Sequence, residues 1–179
     1  AQGDVLLFID ADVAVQPTTL AQVAQHFAQN PTLAACFGSY DDAPAEDNFF
    51  SQYKNLMHHY VHQRSRPAAS TFWSGCGAIR REIFHTIGGF SSAYHRPTIE
   101  DIELGVRLHK AGYQILLDKT LQAKHLKRWT ALSVLRSDVF DRAIPWTRLI
   151  LQTKDFPNDL NLQTSTRASV ALAFLAAPL

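Results

Sequence analysis

The most constraining feature of the sequence is a run of five apolar residues, Val5-Leu6-Leu7-Phe8-Ile9, that ends in two acids one residue apart, Asp10 and Asp12. An apolar run of strand length marks a strand buried on both faces, as in a parallel sheet. Alternate residues of an extended chain point the same way, so Asp10 and Asp12 can present two carboxylates to one side at the carboxyl edge of the sheet. Open α/β sheets bind ligands at that edge. Two hard oxygen donors there suit Mg²⁺ or Mn²⁺, with phosphate oxygens and water filling the other positions. A pair of solvated turn acids would read the same.

The rest of the chain alternates strand and helix signals. Pro17 stands at a first helical position, and Leu20, Val23, Ala24 and Phe27 repeat at helical spacing until Asn30-Pro31. Leu33 to Tyr40 reads as a strand, and 41–47 as an acidic exposed loop. From Phe49 to about Arg64, the residues Phe49, Tyr53, Leu56, Met57, Tyr60 and Val61 trace one apolar helical face. His58, His59 and His62 ride on it with no carboxylate at a matching offset, and read as ordinary surface or half-buried histidines. Ser70 to Ser74 is short and β-prone. It runs into Gly75-Cys76-Gly77, where the backbone can turn tightly or approach a ligand. A helix from Arg81 to Thr86 ends at Gly88-Gly89. Thr98 and Asp101 match a capping box that opens a helix ending at Gly112, and Gln114 to Leu117 is the next strand. The order predicts an α/β layered domain with a mostly parallel sheet flanked by helices.

Composition narrows the function. With 46% hydrophobic and 18% charged residues over 179 positions, the chain can bury a core and is not disordered. The net charge of +1 gives no reason to expect a nucleic acid partner. Residues 1–60 hold seven acids and one base, and residues 61–179 hold nine acids and sixteen bases. That polarity suits a metal site at one end and an anionic surface at the other. Cys36 and Cys76, forty residues apart, make neither a disulfide framework nor a zinc motif, which fits a reducing compartment.

Glu100-Asp101 supplies a second acidic site. At the first turn of a helix the macrodipole favours the ionised form, so Asp101 reads as a carboxylate able to accept a proton from a hydroxyl. His125 adds a neutral imidazole able to ligate a metal.

Four ordered motifs carry a resemblance: Leu6-Leu7-Phe8-Ile9-Asp10-Ala11-Asp12, Ser74 to Arg81 leading to Ile87-Gly88-Gly89-Phe90, Thr98-Ile99-Glu100-Asp101, and Gly112-Tyr113. Together they resemble the family 2 glycosyltransferases of GT-A fold. The resemblance implies a nucleotide-diphospho-sugar donor, a divalent metal and inversion at the anomeric carbon. It makes Asp12 a metal ligand, with Asp10 on the metal or donor and His125 completing the site. It makes Asp101 the general base, and puts Gly75, Cys76, Glu100, Arg128 and Trp129 on the side of a lipid or saccharide acceptor. His125-Leu126-Lys127-Arg128-Trp129 keeps the Arg and Trp of the processive members' Gln-x-x-Arg-Trp but has His for Gln, which weakens a reading as a polymerising enzyme. That family also places a nucleotide-binding half before the Asp-x-Asp, so residues 1–129 are expected to be the C-terminal part of the catalytic domain and the chain a fragment.

Residues 130–167 are expected to form an amphipathic interface helix and linker. Lys124 to Arg148 carries six bases against two acids, with Trp129 and Trp146 near its ends. Such a segment lies on an anionic membrane surface or packs on its own domain. Ala168 to Leu179 reads either as the start of a truncated membrane segment or as a short buried helix. The implied location is the cytoplasmic face of a membrane. Two rival readings are a haloacid-dehalogenase-type phosphatase with Asp10 as nucleophile, and a catalytically silent binding domain.

Overall fold

The structure, a computed structural model, describes residues 2–154, 159–160, 163–164, 166–169 and 172. Its strands are β1 (Val5–Ile9), β2 (Val13–Val15), β3 (Leu33–Tyr40), β4 (Cys76–Arg80) and β5 (Gln114–His125), joined in one sheet of order β1-β4-β3-β5-β2. The sheet is mixed, which corrects the expected mostly parallel one. β3 runs parallel to β5, with Phe37 opposite Leu117, whereas the β1–β4, β3–β4 and β2–β5 pairs are antiparallel. An apolar run reports burial and carries no information on direction. β1 itself is a half-buried edge strand, and the strand buried at every position is β3.

β4 occupies the place read as a turn. Gly77 sits opposite both Phe8 and Phe37, and a Cβ on it would overlap the Phe72 ring and the Trp73 carbonyl oxygen. This glycine therefore serves close packing within a strand. β5 runs on past Leu117 to His125, and its pairing with β3 jumps from Leu117 opposite Phe37 to Gln122 opposite Ser39. The bulged residues are held by Asp118, which accepts from the Thr120 amide (2.8 Å) and shares a 2.6 Å hydrogen bond with His26 Nε2.

The helices are α1 (Thr19–Gln29), α2 (Phe49–Arg64), α3 (Arg81–Thr86), α4 (Glu100–Lys110), α5 (Ala131–Arg136) and α6 (Ile144–Thr153), with a π-helical turn, Ser137–Ala143, joining the last two. α2 faces the opposite way to its hydrophobic pattern. Phe49, Tyr53, Leu56, Met57 and Tyr60 are exposed, while Ser51, Asn55 and His62 are buried. The buried polar face satisfies backbone groups that would otherwise lie unpaired at the end of β3. Asn55 donates to the Asp41 carbonyl (2.7 Å), and ring nitrogens of His59 and His62 meet the carbonyls of Tyr40 (2.7 Å) and Gly38 (2.9 Å).

α4 begins at Glu100, later than the capping box at Thr98 predicts, with Ile99 at its N-cap. Asp101 is engaged elsewhere, and Glu100 instead accepts from the Thr98 amide (2.6 Å). The helix contributes Leu104 and Leu108 to the main core around Phe37, Phe72 and Ile79. Ile102 and Val106 pack against Leu149 and Trp146, so α6 is docked on the domain. The α5-to-α6 stretch nevertheless leaves Leu132, Leu135, Phe140 and Leu151 exposed. Among the described residues no helix is long and apolar enough to cross a membrane, and most of residues 168–179 lie outside them.

α4 approaches the Thr71-Phe72 backbone because Gly105 has no side chain, and an added Cβ would overlap the Phe72 amide and the Thr71 carbonyl carbon. In an exposed helix Gly→Ala stabilises by up to about 1 kcal/mol. Here Gly105→Ala is expected to destabilise by about 3 kcal/mol through overpacking, read from urea unfolding, and a stabilised variant would overturn this packing.

Candidate active site

The carboxyl ends of β1, β3 and β5 reach the same edge of the sheet as the first residue of β4, since Ile9 pairs with Cys76 and Tyr40 with Ala123. A cavity of ≈ 640 Å³ opens there between α2, the start of α4 and the π-helical turn. Asp10, Asp12, Glu100, Asp101, His125 and Trp129 all line it, so residues from across the sequence converge as their types suggest.

Asp10 and Asp12 sit in the connection between β1 and β2, which the Val13 amide closes by donating to the Asp10 carbonyl (3.0 Å). Burial first, then the charges of Asp12 and Glu100, push the Asp10 carboxyl above the usual carboxylate range. A site crowded with carboxylates in this way has the donor chemistry of a hard divalent cation. Among the described residues no group of three or more His, Cys, Asp or Glu is arranged to hold an ion. The protein's own share would thus be one or two carboxylates, the usual arrangement when substrate phosphates complete the sphere. Lys127 Nζ lies 3.7 Å and His125 Nε2 3.8 Å from Asp12 Oδ2. Burial, outweighing the pull of Asp12, holds His125 down to about 4, so its ring is neutral at pH 7 and stacks on Tyr40 at 4.2 Å.

Asp101 is held by the segment before β4. Its Oδ2 accepts from the Ser74 amide (3.2 Å) and its Oδ1 from the Ile102 amide (2.7 Å). The helix macrodipole was expected to keep this acid at its ordinary strength. Burial dominates instead and raises it to about 6, against the lowering effects of the Ser74 amide and the Arg142 charge.

Three residues expected on the acceptor side stand elsewhere. Cys76 is fully buried in β4, its thiol pushed up to about 11 by burial. Gly75 accepts from the Asp10 amide (3.2 Å) through its carbonyl and leaves room for the Trp73 indole. Arg128 is turned outward, 73% exposed, with Nη1 3.4 Å from Glu46. A floor of rings is what the sequence reading missed. His58 lies 4.4 Å from Tyr40, 4.0 Å from His62 and 4.6 Å from Trp73 between ring centroids, its Nδ1 buried and without a partner among the described residues. Burial lowers His58 well below the ordinary histidine value and His62 to about 4. The signal was present in the polar positions 51, 55, 58 and 62 at helical spacing, next to the apolar stripe that drew the eye.

The architecture is shared with a solved structure, the mannosyltransferase PcManGT from Pyrobaculum calidifontis in complex with GDP-Man and Mn²⁺, at 18% identity and a TM-score of 0.53. The match covers 100% of this chain and 52% of that one, so the chain spans about half the length of that relative. No curated protein sequence matches. Neither comparison supports the phosphatase reading. The family model of glycosyl transferase family 21, a GT-A-type family, matches residues 1–178, and the chain belongs to that family.

Proposed function

We propose that the protein transfers a sugar from a nucleotide-diphospho-sugar to a hydroxyl of a lipid or saccharide acceptor, in one displacement that inverts the anomeric carbon. The observation that carries this reading is the placement of Asp101 on the wall that also holds Asp10 and Asp12, with its carboxyl raised to about 6. A base of that strength is ionised at pH 7 yet takes a proton more readily than an ordinary Asp. Asp101 receives the acceptor's proton as its oxygen attacks, and the Ser74 amide fixes the carboxylate's direction. Asp12 and Asp10 would hold Mg²⁺ or Mn²⁺ beside the neutral His125. When bound, that ion supplies positive charge to the diphosphate.

The acceptor reaches the site past Tyr53 and Met57, which line the cavity and are exposed on α2. Together with the exposed Leu132 and Leu135 on α5, this apolar rim and the nearby basic residues support a lipid acceptor and work at the cytoplasmic face of a membrane. Two free buried cysteines accord with that compartment.

Asp101→Asn keeps the size and one of the two accepted amide hydrogen bonds but removes the base, so turnover is expected to fall by about 10²- to 10⁴-fold with donor affinity nearly unchanged. In the native protein kcat/KM should rise with pH through about 6 as Asp101 ionises, and the variant should lack that limb. Stability moves the other way. An acid whose folded pKa is about 6 against an ordinary 3.8 favours the folded state below 3.8 and loses that contribution as pH rises from 3.8 through 6, so Asp101→Asn should gain in Tm relative to the native protein from about pH 4 to about pH 6 and show no further relative gain above that. Native turnover in the variant, or a product of retained configuration by NMR, overturns the mechanism. Calorimetry tests the metal assignment separately: Asp12→Ala should weaken Mn²⁺ binding by at least about tenfold, and equal binding would refute it.

A further inference from the structure

We propose that Arg142, on the π-helical turn between α5 and α6, is a guanidinium that binds the departing nucleoside diphosphate. The inference rests on the glycosyl-transfer reading above and adds a residue to it.

The turn Ser137–Ala143 is fixed over the cavity by its two acids. Asp138 pairs with Lys54 of α2, and Asp141 pairs with Arg96 at 2.8 Å, so both flanks of the cavity hold the same turn. Arg142, the next residue, lines the cavity with Asp10, Asp12 and Asp101 and makes no hydrogen bond or ion pair among the described residues. The charges of Asp138 and Asp141 are paired, while that of Arg142, like that of Arg136 just before the turn, is left at the cavity without an ion pair among the described residues. π-Helical turns inside α-helices occur often at functional sites, where the extra residue redirects the side chains that follow it. The field of Arg142 also reaches Asp101. After burial and the Ser74 hydrogen bond it is among the influences lowering that carboxyl.

The reaction creates a need for such a charge. As the acceptor oxygen bonds to the anomeric carbon and its proton passes to Asp101, the bond from that carbon to the β-phosphate oxygen breaks. The electron pair stays on the phosphate, so the nucleoside diphosphate departs with one more negative charge. A planar guanidinium can meet two phosphate oxygens at once, and such charge-assisted pairs are roughly twice as strong as neutral ones. Arg128, expected on the acceptor side, is 73% exposed and does not line the cavity.

The test uses the full-length protein with Mn²⁺, titrated with UDP and with GDP. Arg142→Ala and Arg142→Gln are expected to weaken the bound nucleotide by about tenfold, equivalent to about 1.4 kcal/mol, and Arg142→Lys to recover part of the loss. Arg148→Ala, an exposed base outside the cavity, should stay within about twofold of the native protein. Native affinity in both Arg142 variants, or a loss confined to Arg128→Ala, overturns the assignment while leaving glycosyl transfer standing. If the native protein binds neither nucleotide, the glycosyl-transfer reading fails and this inference with it.

Discussion

The hydrogen bond from the Asp10 amide to the Gly75 carbonyl, 3.2 Å, joins the two halves of the site. It continues the β1–β4 pairing by one step beyond Ile9 and Cys76, so the first acid leaves the sheet where β4 enters it. One residue earlier, the Ser74 amide donates to Asp101. One residue before that, Trp73 lays its indole over Gly75 and onto the histidines of α2. Three consecutive residues thus set Asp10, Asp101 and the ring floor relative to one another. A β-carbon at Gly75 would collide with the indole, and the glycine's value lies in that space.

The sequence disclosed elements more readily than their surroundings. The bounds of β1, β3, α2 and α3 match the expected segments closely, since apolar runs and periodicities are local properties. β4 was hidden because Gly75 and Gly77 signal a turn, and the Phe72 and Trp73 groups that demand small residues there come into contact through tertiary packing. The apolar stripe of α2 marked a real helix and the wrong inward face. Carbonyl groups at the end of β3 need donors, and that need is invisible until the strand is placed against the helix. Asp10, Asp12, Asp101 and His125, singled out by type and order, come to line one cavity, whereas Cys76 is buried in β4 and Arg128 is turned outward.

The charge split along the chain has a similar lesson. Acids of the first sixty residues do not gather at one end of the molecule. Asp41 meets Lys124 at 3.1 Å, Glu46 meets Arg128, and Asp12 has Lys127 beside it. Because β2 lies against the end of β5, with Val13 opposite His125, the acidic start of the chain and the basic stretch after β5 are brought together. The sequence-level asymmetry becomes interleaved charge around one cavity, with Arg142 as an addition from the segment that follows.

The ring floor gives the acid–base pattern its physical cause. Tyr40, His58, His62 and Trp73 form a chain of ring contacts, and burial keeps His58 and His62 neutral. A wall of neutral rings screens nearby charges far less than water does, so every ionisable group facing it responds strongly to desolvation. Asp10 and Asp101, which line the same cavity, both shift upward through burial first. The same wall strengthens any attraction between Arg142 and an anion in the cavity. The inward turn of α2 is what brings the uncharged rings of His58 and His62 to the cavity.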